Sequence, residues 1–445
     1  MVADSPKQQD AGRGVPDPAP LGGLTVLDLS TSMAGAWATQ FLADAGADVI
    51  QIEPAGGSPL RRQAAWPSLA RGRRSIALDR TDADRAVLHD LIRGADVLVS
   101  TLRPRAAAAL GLAPADLAAL NPRLVSAAVT GYGTTGPWAH DKGYEGLVMA
   151  RLGMFHIKER TVLRPGPAFP SVPFASWGAA QTALHGILAA LVERESSGVG
   201  QHVEADLVRG VMTIDTWDWF AQLIGLRWPD AYPTTLAFSP DLEPLGPLIF
   251  PLLIAPTSDG YWLQFTQVEP RLFGGMMQEL GLAGMFTDPT WKGLPVLDSQ
   301  ELRTELWESM ICKVGERSLA EWKEVFAANP NIMAEVFNAG PDALDHGQLR
   351  HDGRVVVLDD PRLGPVRQPS TLVHVEGRPL SAPRPAPDLD EHGAQIRAAL
   401  AGDAPAAAGR GPAPTGDVAP TQLPWPGSPS WSSASCTRRR TGRRR

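Results

Sequence analysis

The sequence predicts an α/β protein in which helices flank a parallel sheet. Three observations carry the prediction. Short apolar runs alternate with helix-period stretches, the composition is that of an ordinary globular protein at 44% hydrophobic and 20% charged, and 445 residues leave room for a sizeable core in two or three domains. The first element is the apolar run "LTVLDL" (24–29). Ala34, Trp37, Ala38, Phe41, Leu42 and Ala45 follow at i, i+3, i+4, i+7, i+8 and i+11, which is one face of a helix. "ADVIQIE" (47–53) returns to strand, and "SIALD" (75–79), the helical "DADRAVLHDLIRGA" (82–95), "DVLVS" (96–100) and "LVSAAVTGYG" (124–133) continue the alternation. Strands separated by helices call for crossover connections, and hence for a parallel sheet.

Further along, "SVPFASWGAA" (171–180) opens a long helical pattern. Ser176 is the last polar residue before Trp177, Ala180, Leu184, Ile187, Leu188 and Leu191, which line one face, so it is expected as an N-cap. Around residue 230 the texture becomes Pro-rich and aperiodic, and a compact α+β pattern follows. "GYWLQFT" (260–266) reads as a strand, while "EPRLFGGMMQELGL" (269–282) and "SLAEWKEVFAAN" (318–329) read as helices. Ser318 with Glu321 three residues on predicts a capping box. "GRVVVLDDPRLGPVRQPSTLVHV" (353–375) regains strand character before the linker-like "AGDAPAAAGRGPAPTGDVAPTQ" (401–422).

Composition also narrows the function. A net charge of −7 gives no reason to expect nucleic acid or a membrane as partner. No apolar run approaches the ~20 residues of a spanning helix, and the polar, Pro-rich first twenty residues do not read as a signal peptide, so a cytoplasmic protein is expected. Cys312 and Cys436 are too few for a disulfide framework, and the histidines lack metal-ligand spacing, so no metal is expected. The turn "LDLSTSMAGAW" has one Gly where a dinucleotide site needs G-x-G-x-x-G, which argues against NAD. Small residues opening a helix nevertheless suit an anionic phosphate at the positive end of its dipole. A tight turn chosen for packing is the equal alternative.

Six segments together resemble the family III CoA-transferases, the CaiB/BaiF group that includes formyl-CoA transferase and α-methylacyl-CoA racemase. They are "LGGLTVLDLSTSMAGAWATQFLADAGADVIQIEPAGGSPLRR", "RGRRSIALD", "LNPRLVSAAVTGYGTTGPW", "KGYEG", "GILAALVERESSGVGQHVEADL" and "DDPRLGPVRQP", spread over about residues 21–395. The resemblance implies a Rossmann-like large domain with a parallel sheet, built from residues 21–230 and 351–398, and a smaller inserted α+β domain at 231–350. Residues 1–20 would be disordered and 399–445 a linker and tail. It also implies two subunits threaded as an interlocked homodimer, and CoA lying over the first strand–helix turn. The matching positions are Ser32, Met33, Ala34 and Gly35 at that turn, Arg61, Arg62, Arg73 and Arg74 as cations for the CoA phosphates, and Lys142. Ordinary surface arginines are the alternative for each pair.

In such transferases an aspartate at the end of the strand before the long helix attacks the thioester, forming a mixed anhydride and then an aspartyl-CoA thioester. That position falls on Ser176, which has no carboxylate. Ser176 also lacks a G-x-S-x-G elbow, so a serine nucleophile is not expected. Tyr144 and Glu145 resemble the active-site pair of formyl-CoA transferase, with a packed aromatic and a helix-start carboxylate as their structural alternatives. The racemase His and Asp positions correspond to Tyr144 and Ser176, which leaves two-base proton exchange unsupported. Met33, where some transferases carry Gln, and "STLRP" (100–104), where Glu-Asn-Phe is usual, are further departures.

The tail "LPWPGSPSWSSASCTRRRTGRRR" (423–445) reads as a basic disordered segment. Shifted back by one base, its codons permit "LAGVTVLELGVMYAAPYGAT", which resembles residues 21–40. The tail is therefore expected to be a frameshift scar at the start of a second copy, with this chain the N-terminal half of a tandem member. Two function classes follow: an acyl-CoA:carboxylate CoA-transferase, or a catalytically incomplete CoA-binding half that pairs with an active half.

Overall fold

The computed structural model describes residues 19–157, 168–169, 172–214, 223–231, 237–239, 241–338, 340–371, 373–380 and 384–402. The tail expectation lies outside these residues. The first half of the chain runs β1 (Thr25–Leu29), α1 (Met33–Asp44), β2 (Asp48–Glu53), α2 (Trp66–Leu69), β3 (Arg74–Ala77), α3 (Asp82–Gly94) and β4 (Val97–Ser100). It continues with α4 (Pro104–Ala109), α5 (Pro114–Leu120), β5 (Val125–Thr130), α6 (Glu145–Arg151), α7 (Met154–Ile157), α8 (Phe174–Ser197) and β6 (His202–Asp206).

All six strands are parallel, in the order β3-β2-β1-β4-β5-β6. Leu27 sits level with Ile50 on one side and Leu98 on the other. Successive residues serve opposite faces: Val26, Val49, Val97 and Val125 pack with Ala34, Ala38 and Leu42 of α1 and Ala179, Ala183 and Ile187 of α8. Leu27, Ile50, Ile76 and Leu98 pack with Leu88, Leu91 and Ile92 of α3 and Leu117 of α5. Both faces are covered, so the inner strands read as continuous apolar runs rather than alternating ones. The sequence reading missed β6 because it is a short edge strand interrupted by the polar residues His202 and Glu204.

The chain leaves β3 at one edge and re-enters the sheet at β4, beside β1. Strand order reverses there, and sheets of this kind bind their ligands at such a point, in the crevice outside the carboxyl ends of the strands. Residues 388–393 cover the β3 edge: Asp390 Oδ1 accepts from Ala77 N at 2.8 Å, and His392 N donates to Ser75 O at 3.0 Å. The helix Gly393–Leu400 then packs Ile396 into the core.

A second core lies in residues 249–336. There β7 (Ile254–Pro256), β8 (Trp262–Phe265) and β9 (Ala334–Val336) form an antiparallel sheet. Phe265, Met277, Leu306, Met310 and Trp322 fill it. The capping box at Ser318 is present, with the side chains of Ser318 and Glu321 each accepting from the other's backbone N–H. Among the described residues, the strands β10 (Val355–Asp360) and β11 (Gly364–Pro369) pair only with each other, as an antiparallel hairpin. Buried Arg71 ties that hairpin to α1: its guanidinium donates to Asp44 Oδ2 at 2.6 Å, Pro369 O at 2.7 Å and Ser370 O at 3.0 Å.

Candidate active site

The crevice begins at the β1–α1 turn. Asp28, the one charged residue of β1, is fully buried beneath it. Its carboxylate accepts from Ser30 N at 2.8 Å, Thr39 Oγ1 at 2.7 Å and Arg73 Nη1 at 2.5 Å. Arg73 also donates to Gln51 Oε1 and Ala36 O, both at 2.6 Å. Burial lowers the Arg73 pKa despite the opposing pull of Asp28. On the other wall, Thr31 N donates to Thr101 Oγ1 at 2.8 Å. Ser32 caps α1 in an extended conformation, without a side-chain cap bond.

The other half of the site hangs on two glycines. A Cβ on Gly131, after β5, would lie 2.2 Å from the Gly143 Cα, so only glycine lets these two loops touch. Gly143 leads directly into Tyr144 and Glu145, at the start of α6. The half-buried Glu145 side chain reaches across to the first turn of α8. Its Oε1 accepts from Ala175 N at 2.8 Å, and its Oε2 accepts from Ser176 N at 2.8 Å and Ser176 Oγ at 2.7 Å. A carboxylate suits that place, because the unpaired N–H groups and the dipole of a 24-residue helix both favour negative charge.

Ser176 is therefore not an N-cap. Pro173 holds that position and the helix starts at Phe174. The capping role passes to Glu145, from 31 residues away in sequence, and Ser176 is a donor inside the first turn. Next to it, the Trp177 ring meets Trp37 of α1 edge-on, 5.2 Å between centroids. Met33 and Trp37 also pack against Leu60 and Trp66. These contacts gather Ser32, Met33, Ala34 and Gly35, the Arg61–Arg62 segment and the Glu145–Ser176 pair around one end of α1.

The predicted cations divide by environment. Arg61 is held by Glu53 through two hydrogen bonds of 2.7 and 2.6 Å and lies 4.6 Å over the Trp66 ring. Arg73 is committed to Asp28 below the turn. Arg74 pairs with Asp48 at the amino end of β2, away from the crevice. Arg62 and Lys142 are exposed and make no ion pair among the described residues. Tyr144 is 68% exposed and packs into no core. No group of three His, Cys, Asp or Glu suited to a metal occurs among the described residues, and none of their helices is long and apolar enough to cross a membrane. The sequence reading missed Asp28 and Thr101. An aspartate inside the apolar run "LTVLDL" was the available signal for the first.

The CoA-transferase family III model matches residues 21–393. Succinate–glutarate CoA-transferase of Agrobacterium fabrum is 30% identical over 403 residues, covering 86% of this chain and 96% of that protein. Succinyl-CoA–D-citramalate CoA-transferase of Chloroflexus aurantiacus is 28% identical over 403 residues, covering 86% and 95%. Among solved structures, a CaiB/BaiF family protein from Brucella suis superposes with a TM-score of 0.71 at 26% identity, covering 86% of this chain and 100% of that one.

Proposed function

This chain belongs to CoA-transferase family III, and from that membership we propose that it binds an acyl-CoA at the carboxyl edge of its parallel sheet and moves the CoA onto a carboxylic acid. The observation that carries the reading is the Glu145 carboxylate, held by three donors at the start of α8 beside the turn assigned to CoA. Names such as succinate–glutarate and D-citramalate among its relatives point to short dicarboxylic acids as substrate class. The exposed cations Arg62 and Lys142 suit the phosphates of CoA or the second carboxylate of such an acid. Ser32 to Gly35 would lie beneath the CoA, and two copies, or this chain and a second half, would complete the assembly.

The test is to incubate the purified full chain with succinyl-CoA and glutarate and to follow glutaryl-CoA by chromatography. Formation of glutaryl-CoA with matching loss of succinyl-CoA supports the reading. Failure to transfer CoA to any of a panel of short mono- and dicarboxylic acids refutes it.

The absence of a carboxylate on Ser176 favours a second reading, a CoA-binding half that serves a catalytic partner. It requires saturable CoA binding by this chain and no turnover until a half bearing the aspartate is added.

A further inference from the structure

We propose that Glu145 itself is the covalent carboxylate of this chain, carrying first the acyl group and then the CoA. The inference rests on the CoA-transferase reading above and deepens it. Three observations meet at this residue. Glu145 reaches the place a carboxylate on the first turn of α8 would occupy, within hydrogen-bond distance of the Ser176 hydroxyl. Two other carboxylates near the turn are neutralised by cations, Asp28 by Arg73 and Glu53 by Arg61. Glu145 is held by neutral donors alone among the described residues, so its charge stays available for attack.

The third observation is where those donors stand. The two middle steps, thiolate attack on the first anhydride and acceptor attack on the thioester, pass through a tetrahedral carbon at Glu145 Cδ that bears an oxyanion. Ala175 N–H, Ser176 N–H and the Ser176 hydroxyl already lie 2.7–2.8 Å from its two carboxylate oxygens. Donors preorganised at that distance stabilise the developing charge without rearrangement.

The sequence of steps balances. A Glu145 oxygen attacks the thioester carbonyl of the acyl-CoA, and CoA leaves as thiolate, giving a mixed anhydride. The thiolate attacks Glu145 Cδ and expels the first acid as its carboxylate, giving a glutamyl-CoA thioester. The acceptor carboxylate attacks Cδ, releases the thiolate and forms a second mixed anhydride. The thiolate then takes the acceptor's acyl carbon and returns Glu145 as a free carboxylate. No net proton or electron is consumed. Ser176 is a positioning residue, and Tyr144 takes no covalent part.

The experiment treats the full chain with succinyl-CoA alone, quenches with hydroxylamine and maps hydroxamates by peptide mass spectrometry. The expected result is a hydroxamate at Glu145 that appears only when succinyl-CoA is present. Glu145→Gln should lower CoA transfer more than about a thousand-fold with CoA affinity retained, while the melting temperature falls only as far as a weakened α8 cap requires. A hydroxamate at another carboxylate, or wild-type transfer by Glu145→Gln, overturns the assignment and leaves the transferase reading standing. The wild-type label does not depend on any variant folding. A chain that binds CoA but neither transfers it nor forms a hydroxamate overturns both.

Discussion

Replacing Asp28 with Asn would strand a buried cation under the β1–α1 turn. The Arg73 guanidinium is 1% exposed, and its contact with Asp28 Oδ2 is 2.5 Å. Breaking one partner of such a pair costs about 3–5 kcal/mol, whereas exchanging the whole pair for neutral side chains of similar size is often nearly neutral. Asp28→Asn and Arg73→Met should therefore each destabilise by about 3–5 kcal/mol, a large part of a typical total of ~5–15 kcal/mol. The double variant should fall short of the sum by about 3 kcal/mol or more, because the second change removes the charge the first left unpaired. Urea unfolding followed by the fluorescence of the chain's 13 tryptophans reads all four proteins. The single variants should also weaken CoA binding, since Asp28 holds Ser30 N and Arg73 holds Ala36 O at the turn. Single losses below about 1 kcal/mol, or strict additivity, would refute the reasoning.

Substitutions at three other positions test the site and its support. Ser176→Ala removes one hydrogen bond to a charged group, about 1.5–3 kcal/mol, so kcat should fall roughly ten- to hundred-fold with the KM for acyl-CoA little changed, and Ser176→Thr should restore much of it. An equal fall in melting temperature and none in kcat would make Ser176 merely structural. Gly35→Ala places a Cβ 2.1 Å from Ser30 Oγ and 2.6 Å from Thr101 Cγ2, so α1 must lift from the turn, and calorimetry should show weaker CoA binding. Unchanged affinity would separate that turn from the CoA site. Burial holds the His202 imidazole below its ordinary value near 6.5, against Glu204. The unfolded chain then binds the proton first, so this contribution to stability is complete above about pH 6.5 and is lost as pH falls below it. His202→Gln should flatten the drop in urea midpoint between pH 7 and 5.5; an unchanged slope would show that His202 does not contribute.

The parallel sheet was legible because its inner strands are buried on both faces, which leaves runs such as "DVLVS" with no competing helical period. The cap at Ser318 was legible because both partners lie within one turn. The N-terminus of α8 was misread for the opposite reason. Its anion comes from α6, through the contact of Gly131 with Gly143, and no local pattern around Ser176 records a partner 31 residues away. The arginines show the same limit. "RGRR" looks like a solvated basic patch, yet Arg71 and Arg73 are buried against carboxylates of α1 and β1, and only the fold reveals which guanidinium faces solvent.

A covalent carboxylate at residue 145 must exchange oxygen with the acids it serves. Full-length chain turned over with succinyl-CoA and a glutarate acceptor labelled with heavy oxygen, then digested and weighed, tests that directly. In the mechanism above, one acceptor oxygen stays on Glu145 each time the second anhydride is resolved. Heavy oxygen is expected in the peptide containing Glu145 and in no other. Glutaryl-CoA formed with that peptide unlabelled, or with the label on another carboxylate, would contradict it.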